Sequence, residues 1–97
     1  MKFKVQTYKE GLKEIEGERV KFRSPAWLKK IKVAVHDDYT EEGFAVSELT
    51  SGYSLARNFE IRKSAIEYAK TKLVKAGKRK AMAAIEEAIC KTGIANL

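Results

Sequence analysis

The 97-residue chain contains one cysteine, one proline, one histidine and one tryptophan. The lone thiol, Cys90, excludes an internal disulfide framework and every cysteine-rich zinc site, and it suits a reducing compartment. A single histidine leaves a transition-metal site, which recruits several His or Cys ligands, without a donor set. The opening twenty residues alternate charge with hydrophobes and lack the apolar core of a signal peptide. No apolar run approaches the roughly 18–20 residues that a membrane span needs. The 6 glycines are scattered, with neither G-x-x-x-x-G-K nor G-x-G-x-x-G to cradle a phosphate. No internal repeat and no low-complexity segment is visible. The expectation is a cytoplasmic protein with no membrane partner, no metal and no cofactor.

The bulk composition is ordinary, with 44% hydrophobic and 9% aromatic residues, enough for one compact core. The charge is uneven. The chain carries 20 Lys+Arg against 13 Asp+Glu, a net of +7. Residues 1–60 have a net of +1 and residues 81–97 a net of −1. Residues 61–80 carry +7: Arg62, Lys63, Lys70, Lys72, Lys75, Lys78, Arg79 and Lys80 stand against Glu67 alone. A cluster of that kind is the electrostatic footprint of a polyanion-binding surface.

Hydrophobic periodicity divides one domain, 1–97, into a mainly β part, 1–57, and two helices over 58–95. Phe3 and Val5 alternate with polar residues, as do Val20 and Phe22, then Ile31, Val33 and Val35. Gly11–Gly17 reads as a loop or a helical turn, and Ser24-Pro25 ends or bulges a strand. His36 to Gly43 is a polar connection, Phe44–Leu49 a strand, Thr50-Ser51-Gly52 a turn and Tyr53–Ala56 a short strand. From Ile61 the period changes: Ala65, Ile66, Ala69, Leu73 and Ala76 form a helical stripe, flanked by Lys63 and Lys70 on one side and Lys72 and Lys75 on the other. Asn58 is the expected N-cap, with Glu60 the alternative if the helix starts later, and Gly77 is the expected left-handed C-cap before a second helix carrying Met82, Ile85, Ala88 and Ile89. Strands followed by helices give an α+β fold: an antiparallel sheet of four or five strands with two C-terminal helices on one face.

The residues that could carry chemistry do not converge. His36, Asp37 and Asp38 are sequence neighbours, and neighbours on a strand point to opposite faces, so they read as a solvated loop. Cys90 sits on the apolar side of the last helix, where a buried thiol is the default. No enzyme is expected. The basic segment remains, with Lys63, Lys70, Lys72, Lys75, Lys78, Arg79 and Lys80 as candidate nucleic-acid or partner contacts. Trp27 joins them as an exposed anchor or a core residue. Tyr8, Tyr39, Tyr53 and Tyr68 are candidate stacking platforms. A helix-turn-helix reader is disfavoured, because its recognition helix would present Glu86 and Glu87 to DNA.

Val33-Ala34-Val35, Asp37-Asp38, Gly43-Phe44-Ala45-Val46, Ser51-Gly52-Tyr53 and the Ala65, Ala69, Leu73 helix resemble the HicB-type antitoxin core. That resemblance implies a small sheet with a packed helix that blocks a toxin. The Lys-rich helix opening Arg62-Lys63-Ser64-Ala65, with Ala69 on its inner face, is similar to the end of a double-stranded RNA-binding domain. The short, basic, single-domain format also resembles small phage and mobile-element accessory proteins of the anti-CRISPR type. The expected function is non-catalytic: a basic helical surface that contacts nucleic acid or a nucleoprotein. The alternative is a protein–protein inhibitor or antitoxin docking through a sheet edge. A monomer and a homodimer remain open.

Overall fold

The computed structural model describes residues 1–7, 11–23, 25–37 and 42–96. Tyr8, Ser24, Asp38 and Tyr39, singled out above, lie outside the described residues. Five strands, β1 (Lys2–Thr7), β2 (Gly11–Val20), β3 (Val33–Asp37), β4 (Phe44–Glu48) and β5 (Ser54–Phe59), form one antiparallel sheet in sequential order. A short 3-10 turn, Ala26–Lys30, links β2 to β3, and a helical element, α1 (Arg62–Thr92), follows the sheet. The fold is therefore α+β. No helix among the described residues is long and apolar enough to cross a membrane.

The sheet is covered on both faces at β3. Val33 and Val35 point into the main core, where Ala65, Ala69 and Leu73 of α1 meet Val46, Leu55 and Ala56. Ala34, one residue out of phase, points the other way into a second cluster with Phe3, Val5 and Leu49. His36 follows Ala34 and lies against the Phe3 ring, with centroids 5.6 Å apart. The four residues from Val33 to His36 are all buried, at 0–4% exposure.

Gly17 makes that second layer possible. Gly11–Glu16 pair with β1 and Gly17–Val20 with β3, so β2 changes partner at this residue. A Cβ at Gly17 would lie 2.4 Å from the Val35 carbonyl oxygen and 2.9 Å from Phe3 Cε1. The missing side chain lets the β1–β2 hairpin fold down onto β3. The expected loop over Gly11–Gly17 is thus the first part of a ten-residue strand.

The two expected C-terminal helices are one helical element of 31 residues, interrupted at Gly77 without an intervening loop. Gly77 has φ 85° and ψ 162°, outside the helical region and open to glycine almost alone. A straight helix of this length would run about 46 Å, whereas the longest dimension of the molecule is 31 Å. The break bends α1, so that Ala81, Met82 and Ile85 join the same core as Ala65, Ala69 and Leu73. The start of α1 also departs from expectation. Asn58 lies within β5 at φ 58°, and the N-cap is Ile61, without a side-chain hydrogen bond. Arg62 instead ties the helix to β2 through Glu18. Past Gly93 the chain returns to the sheet: Asn96 accepts a hydrogen bond from the Lys4 backbone N–H and donates to the Lys4 and Leu49 carbonyls.

Two substitutions test this account. Gly17→Ala drives a methyl group into the β3 backbone and should lower the unfolding free energy by about 1–3 kcal/mol in urea titration. Gly77→Ala meets no steric obstacle, but forces either a strained backbone or a straightened helix that lifts Ala81 off the core; a loss of about 1–3 kcal/mol is expected. A gain in stability would contradict the bend.

Candidate nucleic-acid interface

The buried polar residues account for themselves structurally. His36 Nε2 lies 2.8 Å from Ser47 Oγ, and its Nδ1 lies 2.7 Å from the Asp37 carbonyl. A serine beside an imidazole is the arrangement of a nucleophile and base, but Ser47 is 2% and His36 4% exposed, so the pair joins β3 to β4 inside the protein. His36 is therefore an interior strand residue, not part of a solvated loop. Glu48 is 1% exposed, and its carboxylate accepts hydrogen bonds from the Thr50 and Ser51 backbone N–H groups and from Ser51 Oγ. It shapes the turn between β4 and β5. Among the described residues no group of three or more His, Cys, Asp or Glu side chains is placed to hold a metal ion. Cys90, expected in the core, is exposed, because the bend at Gly77 turns Met82 and Ile85 inward and leaves Cys90 outside.

The expected cations all lie on α1, and they divide into groups. Lys72 and Lys75 share one flank of the first half, beside Tyr68. Lys63 and Lys70 lie on the other flank by the 100° helical step, with Lys63 Nζ 4.0 Å from Glu67. Lys78, Arg79 and Lys80 follow the bend and are exposed. No acidic residue stands in the first turn of α1, where Arg62 and Lys63 add their charge to the positive end of the helix dipole. Trp27 is half-buried and packs against the main core from the 3-10 turn.

Two aromatic residues complete the Lys72 flank. Tyr53, just before β5, and Tyr68, on α1, are 44% and 49% exposed. Lys72 Nζ stands 5.8 Å from the centre of the Tyr53 ring, and the Phe59 and Tyr68 ring centroids are 5.1 Å apart. Tyr68 and Lys72 line two cavities of about 400 Å³ each, one shared with Arg57 of β5 and the other with Lys75. Among the described residues, none lining either cavity is acidic.

A second basic surface escaped the residue counts. Arg19, Lys21, Arg23 and Lys29 rim a cavity of about 530 Å³ floored by Phe22, Leu28 and Ile31. Charges over residues 1–60 nearly cancel in number, but alternation along β2 places Arg19 on the opposite face from Glu14, Glu16 and Glu18. A net charge taken over a segment cannot register that separation.

Replacing Glu48 with Ala should strip the β4–β5 turn of three hydrogen bonds and cost about 2–4 kcal/mol of stability, read as a lowered urea midpoint. An unchanged midpoint would mean that the turn does not depend on the carboxylate. The chain matches no family model, no curated protein and no solved structure.

Proposed function

We propose that this protein is a non-catalytic binding protein whose basic helical surface contacts nucleic acid, free or within a nucleoprotein complex. The observation that carries the reading is the +7 net charge of residues 61–80, set on one helix with every cation from Lys72 to Lys80 exposed. A phosphate backbone is the ligand whose chemistry matches such a surface, because each neutralised phosphate releases condensed counterions. An inhibitor of a nucleoprotein, as the accessory-protein format suggests, would use this surface on the nucleic acid of its target.

Docking through the sheet edge has less to support it. β5 carries a register shift against β4 and a left-handed Asn58, and both blunt an edge for strand addition.

Fluorescence anisotropy with labelled oligonucleotides at about 50 and 200 mM salt tests the reading. Binding should weaken steeply with salt. Replacing Lys78, Arg79 and Lys80 together with Ala should reduce the duplex salt slope by about 2–3 and leave the melting temperature unchanged. An unaltered slope would remove these residues from the interface.

A further inference from the structure

We infer that the flank formed by Tyr53, Tyr68, Lys72 and Lys75 binds the unstacked bases of single-stranded nucleic acid, which gives the surface a preference for single strands over duplex. The inference rests on the nucleic-acid reading above and adds to it the form of the polymer.

Charge alone does not distinguish a strand from a duplex, because both present phosphates. Rings do. In a duplex the faces of the bases are occupied by their neighbours, and a protein ring finds only groove edges. In a single strand the faces are available, and any base will stack on an exposed aromatic side chain. Tyr53 and Tyr68 leave close to half of their surface in solvent, so both rings are within reach of a base.

Each ring also has a neighbour that steadies it. Phe59 packs against Tyr68 at 5.1 Å, and the Lys72 ammonium stands over Tyr53 at 5.8 Å. Tyr68 is set by the helix and Tyr53 by the tight β4–β5 turn, whose Ser51 Oγ accepts a hydrogen bond from the Tyr53 backbone N–H at 3.1 Å. Such platforms lose little conformational freedom when a base arrives. Lys72, whose Nζ is 5.8 Å from the centre of the Tyr53 ring, stands one helical turn beyond Tyr68, and Lys75 lies one turn further along the same flank. A backbone following Lys72 and Lys75 therefore brings its bases within reach of both tyrosines. Among the described residues lining the two cavities, no carboxylate opposes the phosphates.

The test compares three probes of about 12 nucleotides, a length within the usual site size: oligothymidylate, an abasic strand of equal length and charge, and a duplex. The full chain should bind oligothymidylate at least tenfold more tightly than the abasic strand, and more tightly than the duplex. Tyr68→Ala and Tyr53→Ala should each weaken oligothymidylate binding by about 5- to 100-fold while leaving the abasic strand unaffected. Tyr68→Phe should retain the affinity of the parent protein. Equal affinity for the base-bearing and abasic strands, or a preference for duplex, would overturn this inference and leave the basic-surface reading standing. Binding to none of the probes would overturn both. The comparison of strands with the unaltered protein needs no variant to fold.

Discussion

Val33, Ala34, Val35 and His36 leave β3 no face for water. The strand can hold that position only if something covers each side. The helix covers Val33 and Val35, and the β1–β2 hairpin covers Ala34 and His36. Most of the other features serve this arrangement. Gly17 lets the hairpin approach β3, Gly77 lets the helix bend round the core, and Asn96 secures the tail to β1. Because both faces of the central sheet are occupied, the broad outer flank of α1 and the rim beside β2 are left to meet other molecules.

The sequence showed the parts of the fold that depend on local chemistry. Phe3 and Val5 mark β1, Phe44 and Val46 mark β4, and the Ala65–Ala69–Leu73 step marks the buried stripe of α1, because a side chain's face follows directly from helical or strand geometry. Gly77 stood out as a helix breaker, but nothing local reveals whether a broken helix becomes two separated helices or one bent element. The second layer was hidden for a different reason. A polar His36 in alternation with Val35 reads as a solvent face, and only the distant Phe3 ring and Ser47 hydroxyl make it interior. Gly17 was equally opaque, since its role is set by the Val35 carbonyl across the sheet.

The candidate site divides along the same line. Its charge was legible because seven of its cations fall within eighteen consecutive residues, Lys63 to Lys80. Its four tyrosine candidates were legible too, but which of them meet the cations was not. Tyr53 and Tyr68 lie fifteen positions apart on different elements, and their meeting at Lys72 depends on how α1 packs across β5. The basic rim of Arg19, Lys21, Arg23 and Lys29 is lost in the net charge of residues 1–60, although the alternation Arg19-Val20-Lys21-Phe22-Arg23 itself sets three basic residues on one side. Surface charge is a property of faces, and a count along the chain averages them.

More than one basic surface among the described residues makes the location of binding the decisive question. Backbone amide shifts of the isotope-labelled full chain, followed by NMR while a short oligonucleotide is added, answer it directly. The account predicts that the largest changes fall at Tyr53 and along Tyr68 to Lys80, with little change over Arg19–Arg23. Changes centred on Arg19, Lys21, Arg23 and Lys29, with α1 unaffected, would contradict it.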